Sequence, residues 1–298
     1  MRLFLQLSRP LFLLGGVLLY ALGAVIAAYL GRPIDPSLYL IGQAIVTLLQ
    51  LMGHYLNEYF DSDADRENDS RTRLTGGSGA LGPEGLPRSV ALYAAIISLA
   101  LATTVSTAAL VTRAFPPLAW PILLLGFFGS FYYSTPPLRL VTTGYGELVV
   151  ALVVAGLTPA FAYALQTGEL HRLLLMSNTP LIALCFAMII VFELPDYAND
   201  VKYGKRNLMV RLGWSAAMRA HDVAIVFALL SFAIAFSLGL PSRVGLSALI
   251  VVPLAAAQMW QLNRIRQGYP PRWNILTFSA LAVFAIAAYL ELVGYLLT

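Results

Sequence analysis

Charge is scarce in this sequence: only 11% of its 298 residues are Asp, Glu, Lys or Arg, less than half the roughly 25% of ordinary soluble domains. Together with 59% hydrophobic residues and a mean hydropathy of +0.75, this excludes a water-soluble fold. Cysteine is nearly absent as well. Cys185 stands alone in an apolar run, so the chain can form neither an internal disulfide nor a thiolate metal cluster, and the residue reads as a small core side chain. Lysine occurs only at Lys202 and Lys205. No low-complexity segment or soluble domain interrupts the chain, and one domain over residues 1–298 is expected.

What is present is apolar sequence in runs of about 20 residues, each long enough to cross a hydrocarbon core about 30 Å thick as a helix. Nine such runs lie near residues 10–30, 37–60, 89–112, 117–135, 145–165, 179–195, 220–240, 244–262 and 274–297. They are uniformly apolar rather than alternating, and in lipid a spanning segment must satisfy its own backbone polar groups. The expectation is an all-α polytopic membrane protein with nine transmembrane helices. The first run follows Arg2 and Arg9 but is too long for a signal core and leads directly into more spans, so it reads as the first helix.

With nine spans, fifteen of the nineteen basic residues fall on one face, leaving Arg32, Arg113, Arg172 and Arg243 on the other. Positive charge favours cytoplasmic loops, so the N-terminus is expected in the cytoplasm. The net charge of +4 then reflects topology and calls for no nucleic-acid partner.

Two polar connections, about 61–88 and 196–219, fall on that cytoplasmic face. Nine of the fifteen acidic residues lie in or beside them: Glu58, Asp61, Asp63, Asp65, Glu67 and Asp69 in one window, Glu193, Asp196 and Asp200 in the other. Asn57, Asp61 and Asp65 are spaced by four and share a helix face if the second helix continues through them. Carboxylates stacked at that spacing repel, and a bound cation explains them. Oxygen-only ligands of this kind suit Mg²⁺ or Mn²⁺. The bland alternative is a solvated acidic loop. A calcium loop fails, because Arg66 and Thr72 stand where an EF-hand starting at Asp61 needs Gly and Glu.

Basic residues follow each window: Arg66, Arg71 and Arg73 in the first, Lys202, Lys205 and Arg206 in the second. Carboxylates, divalent ions and basic side chains together form a cradle suited to a diphosphate, although some of these cations, Arg88 and Arg219 included, serve as membrane anchors. The run Thr75-Gly-Gly-Ser-Gly79 reads on its own as a flexible turn. Among polar residues in the spans, Tyr133 and Glu147 are functional candidates, whereas Glu291 near the outer face reads as a capping or snorkelling group.

These motifs resemble the UbiA superfamily of intramembrane prenyltransferases: Asn57-x₃-Asp61-x₃-Asp65 and Asp196-x₃-Asp200 match its paired motifs, and Ser8-Arg9-Pro10 is similar to its Arg-Pro start. The segments Tyr133-Ser-Thr-Pro-Pro137, Gly144-Tyr-Gly-Glu147 and Gly204-Lys205-x₂-Leu208 resemble the 1,4-dihydroxy-2-naphthoate prenyltransferases of menaquinone synthesis. The chain departs from that subgroup in the spacing of its first motif and in Phe192 and Glu193, where asparagines are usual.

The resemblance implies transfer of a prenyl group from an isoprenyl diphosphate to an aromatic acceptor at the cytoplasmic face of a prokaryotic membrane. It implies that Asp61, Asp65, Asp196 and Asp200, helped by Asn57, hold two Mg²⁺ ions. Arg9, Arg71, Arg73, Lys202 and Lys205 would bind substrate, and Tyr133 would line the site of the prenyl cation. A 4-hydroxybenzoate or other quinone-precursor acceptor is the nearest alternative. A cation-coupled transporter is the alternative of another class, but its ion site would sit at the membrane midplane and not at helix ends.

Overall fold

The computed structural model describes residues 1–112 and 114–298, except for the side chains of Ser247 and Ala248. Arg113, expected on the outer face, lies outside the described residues. Among the described residues there is no strand, and nine long helices account for the nine apolar runs. These are α1 (Pro10–Tyr29), α2 (Pro36–Arg66), α3 (Arg88–Val111), α4 (Ala119–Ser134), α5 (Gly146–Thr167), α6 (Arg172–Glu193), α7 (Trp214–Ser237), α8 (Ser242–Arg266) and α9 (Trp273–Leu296). Eight are long and apolar enough to cross a membrane. The exception is α4, which has 16 residues.

Two boundaries move relative to expectation. The helix α2 runs on to Arg66, so the first connection is 67–87 and Asp61 and Asp65 stand on helix. The start of α2 is fixed by Asp35, whose carboxylate accepts from Ser37 N (2.8 Å) and Leu38 N (3.1 Å). The second connection is partly helical, with short helices at Tyr197–Lys202 and Leu208–Leu212, and α7 already begins at Trp214.

Helix α2 packs along α3, α6 along α7, α8 along α9, and α1 against both α5 and α9. At the crossing of α1 and α5, a Cβ on Gly23 would strike the Pro159 carbonyl, so the small residue permits close approach. The central helix is α6: 72% of its most apolar stretch is buried, against 22% for α2 and for α3. Large apolar side chains such as Leu124, Leu125, Phe128 and Phe227 remain exposed, as suits a lipid-facing surface.

Helix α5 contains a widened, π-helical turn over Leu152–Leu157. In lipid a carbonyl released by such a turn needs a partner, and the Asn178 amide of α6 donates to the Gly156 carbonyl at 3.0 Å. Val153 and Val154 of this turn line a cavity of about 330 Å³ between α1, α2, α4, α5, α6 and α9.

Candidate active site

One end of this cavity is polar, and both aspartate windows meet there. The four-residue spacing puts Asn57, Asp61 and Asp65 on the cavity side of the last turns of α2. Asn57 donates to Asp61 at 3.0 Å. Asp63, two residues out of phase, is exposed and pairs with Arg88 (3.3 Å) and Arg66 (3.9 Å).

The second window reaches the same cavity by another route. Asp196 and Asp200 sit at the start and middle of the short helix Tyr197–Lys202 and are positioned by side chains. Asn207 caps Leu208–Leu212 through Val210 N (2.9 Å) and also donates to Asp200 (2.8 Å). Asn68 donates to Asp196 at 2.7 Å, and Asn199 donates to the Ala64 carbonyl at 2.8 Å. Lys205 bridges the windows, with its ammonium 3.0 Å from Asp61 and 3.4 Å from Asp200.

The glycine run is part of this assembly rather than a flexible turn. Gly76 and Gly77 have φ of 76° and 79°, and added Cβ atoms would crowd Asp196 and Asp65 respectively. Only glycine combines that backbone with that approach. Beside it, Ser78 donates from its backbone N and its hydroxyl, both at 2.7 Å, to Glu58, which also pairs with Arg9.

Arg9 and Arg139 are the only described non-glycine residues with positive φ, 48° and 39°. Each turns its guanidinium toward the acidic end, Arg9 to Glu58 and Arg139 to within 3.8 Å of Asp61. Such backbone costs about 1–3 kcal/mol and persists where the surroundings enforce it.

Of the expected site residues, Asn57, Asp61, Asp65, Asp196, Asp200, Lys205, Arg9 and Tyr133 line one cavity. Arg71, Arg73 and Lys202 do not. Arg71 and Arg73 are exposed on the first connection, and Lys202 points outward to Glu67 at 2.6 Å. Asn68, Asn199, Asn207 and Arg139 were not singled out for the site, because single amides and an arginine in polar connections carry no periodic signal. Glu193 also lines the cavity and lies within hydrogen-bonding reach of the buried Glu147, whose other oxygen accepts from Leu208 N.

Burial, reinforced by Asp200, pushes Asp196 up to about 7, against the opposing pull of Asn68 and Lys205. Burial likewise raises Asp200. Lys205 is penalised by burial too, but Asp61, Asp200 and Asp65 outweigh that and hold it above the ordinary lysine range. Four carboxylates thus face one ammonium, which is shared between Asp61 and Asp200, and Asp61 Oδ1 is buried without a hydrogen-bond partner. Positive charge from a ligand would complete the balance.

Among the described residues no three carboxylate, histidine or cysteine side chains converge as a ready cation cage. The donor set still fits Mg²⁺, which commonly takes one or two protein carboxylates and completes its shell with water and substrate phosphate.

The sequence pattern of the UbiA prenyltransferase family matches residues 17–283. The chain belongs to the UbiA prenyltransferase family. A 1,4-dihydroxy-2-naphthoate octaprenyltransferase from Bacillus subtilis is 23% identical over 78% of this chain and 70% of its own length. A digeranylgeranylglyceryl phosphate synthase from Ignicoccus hospitalis is 28% identical over 99% of this chain and 91% of its own. A UbiA homolog from Archaeoglobus fulgidus, solved bound to GPP and Mg²⁺, shares the fold with a TM-score of 0.67 at 17% identity, covering 97% of this chain and 99% of that one. This UbiA-family chain is therefore an integral membrane prenyltransferase with an all-helical bundle.

Proposed function

We propose that the protein transfers a prenyl group from an isoprenyl diphosphate to an aromatic acceptor, with 1,4-dihydroxy-2-naphthoate as the leading candidate. The observation that carries this reading is the polarity of one cavity: the two aspartate motifs with Lys205 at one end, and Val154, Met188 and Leu281 toward the other. A diphosphate fits the first and an apolar tail the second. Solved relatives bound to GPP or DMAPP with Mg²⁺ support the same donor class. The basic residues expected on this end support a cytoplasmic site in a prokaryotic inner or plasma membrane.

When bound, Mg²⁺ (or Mn²⁺), held by Asp61, Asp65, Asp196, Asp200 and Asn57, would neutralise negative charge on the leaving diphosphate. Lys205 can exchange its carboxylate partners for phosphate oxygens, and Arg139 stands beside Asp61 to do the same. As the allylic C–O bond breaks, its electron pair leaves with the diphosphate. These cations lower the barrier because they stand in place before charge develops. Tyr133 presents an aromatic ring at the boundary of the two ends, where a prenyl cation is attracted to its face. The ring carbon of the acceptor then attacks and loses its proton or, in a naphthoate, its carboxyl group as CO₂.

Phe12, His54 and Phe192 line the same boundary, with Phe12 edge-on to each of the other two at 6.1 Å. Flat surfaces of this kind suit a planar acceptor. The competing acceptor is the hydroxyl of a prenylated glyceryl phosphate, favoured by the coverage of the archaeal relatives. Against it, Lys205 faces the donor diphosphate and Arg9 is held by Glu58, which leaves no cation lining the cavity for a second phosphate.

The test is Mg²⁺-dependent transfer by purified protein from geranylgeranyl diphosphate to 1,4-dihydroxy-2-naphthoate, 4-hydroxybenzoate and geranylgeranylglyceryl phosphate, with an EDTA control. Product with the naphthoate alone supports the leading acceptor. Product with the benzoate moves it to another quinone precursor, and product with the glyceryl phosphate alone overturns the aromatic reading.

A further inference from the structure

His54 lines the main cavity from α2, between Asn57 and Gln50 along that helix, and prenyl transfer as derived so far leaves it unused. It is half-buried, with Phe12 edge-on beside it. Its Nδ1 lies 3.3 Å from the carbonyl of Ser8, at the end of the short helix Arg2–Leu7. That turn is itself fixed, because the Ser8 hydroxyl is 2.7 Å from the phenol of Tyr55, the next residue on α2. A carbonyl can only accept, so Nδ1 carries the ring proton and Nε2 keeps its lone pair. Among the described residues Nε2 has no hydrogen-bond partner. The imidazole is thus oriented from behind and presents an acceptor to the cavity.

Its depth suits the aromatic substrate. His54 and Asp61 are seven residues apart on α2, about 10 Å along the axis at 1.5 Å per residue. An attacking ring carbon stands about 3–3.5 Å from the allylic carbon, on the side away from the departing diphosphate. A hydroxyl on that ring therefore lies deeper than the carboxylates, toward the level of His54. Phe12 and Phe192 can hold a planar ring, but apolar faces leave its rotation within the plane undetermined. One directional polar group settles it. Gln50, a turn deeper, is engaged elsewhere: its amide donates to the Phe12 carbonyl at 2.7 Å.

We infer that His54 Nε2 accepts a hydrogen bond from the acceptor's ring hydroxyl beside the attacked carbon, and so selects which carbon meets the donor. The inference rests on the aromatic-acceptor reading. As ring electrons form the new C–C bond, the positive charge left behind is shared by that hydroxyl oxygen, and its O–H becomes a stronger donor. The hydrogen bond tightens in the transition state, so it raises kcat more than it lowers KM. His54 holds this proton without removing it, and the charge disappears when the ring loses CO₂ or its own proton.

The experiment uses the full chain in detergent with Mg²⁺, the aromatic acceptor that the wild type turns over, and the methyl ether of that acceptor's hydroxyl. The ether keeps an activated ring but cannot donate. Wild type should favour the free hydroxyl about fiftyfold in kcat/KM, the scale of one hydrogen bond to a group that gains charge. His54→Phe keeps a flat ring beside Phe12 without the acceptor nitrogen; it should lose about fiftyfold with the hydroxyl substrate and change less than about threefold with the ether. His54→Gln, whose amide oxygen can stand near the place of Nε2, should recover at least about fivefold of that loss. An unchanged KM for the donor reports that each variant is folded. If His54 only fastens Ser8, both variants lose both substrates equally, and the inference is overturned. A preference for the free hydroxyl that survives in His54→Phe also overturns it and gives that contact to another group, such as Ser130 in the same cavity. Failure of the wild type on every aromatic acceptor would overturn the acceptor reading instead.

Discussion

The two aspartate motifs reach one cavity by different physical means. The first is carried by α2, a continuous 31-residue helix, so the relative positions of Asn57, Asp61 and Asp65 follow from backbone hydrogen bonds. The second follows the end of α6 and stands on a helix of six residues, too short to be stable alone. Asn68, Asn199, Asn207 and Lys205 hold it against the first. The first motif is thus a fixed wall and the second a docked one. A site that binds a charged donor and releases diphosphate gains from one wall that can yield.

The sharpest way to break that difference is at Asp61, which serves both walls through Asn57 and Lys205. Asp61→Asn should lower kcat/KM for prenyl transfer by about 10³, the scale of losing one preorganised electrostatic contact, while α2 keeps its helical circular dichroism. Retention of more than a tenth of wild-type turnover at saturating Mg²⁺ would rule out the assigned role.

Lys205→Met attacks the docking itself. It leaves Asp61 and Asp200 buried without their shared cation, and should cost about 3 kcal/mol of apo stability. Denaturant unfolding in detergent checks this, and added Mg²⁺ with diphosphate should restore much of the loss. Equal stability with and without the lysine would mean that the second wall is held by its amides alone.

The pH dependence sharpens the comparison. Asp196 is raised to about 7 by burial, from an unfolded value near 4. Between these values the folded protein binds the extra proton, so its contribution to apo stability is present below about pH 4 and is lost as pH rises to about 7. Metal binding needs the carboxylate, so the Mg²⁺ concentration for half-maximal transfer should rise as pH falls from 8 to 6. Asp196→Asn should flatten the stability profile in that window. An unchanged profile would assign the titration elsewhere.

The smallest effect is expected at Lys202, whose pair with Glu67 is exposed. Lys202→Met should change transfer less than about threefold, because solvent screens an exposed ion pair. A loss comparable to that of Lys205→Met would return Lys202 to the substrate site.

Much of the fold was legible because a hydrocarbon solvent imposes long, uniformly apolar helices: each of the nine runs is helical, and eight of those helices are long and apolar enough to cross a membrane. The largest discrepancy lay at α6, which starts at Arg172 rather than near 179; Arg172 and Asn178 dilute the apolar signal of its first turns. The motif carboxylates were legible through their repeated spacing. The glycine run was not, because its backbone conformation and its approach to Asp65 and Asp196 are tertiary facts. Arg139 was counted only as an anchor, since nothing local marks a left-handed arginine.

By itself the sequence determined a helical membrane bundle, the acidic windows and the oxygen-rich donor chemistry, since these depend on composition and on a period that any helix expresses. Only the tertiary structure decided which charges face the cavity. It separated Lys205 from Lys202, three residues apart in sequence, and brought Asn68 to Asp196 across 128 positions. Those choices depend on how the ends of α2 and α6 pack together, and no local pattern encodes that distance.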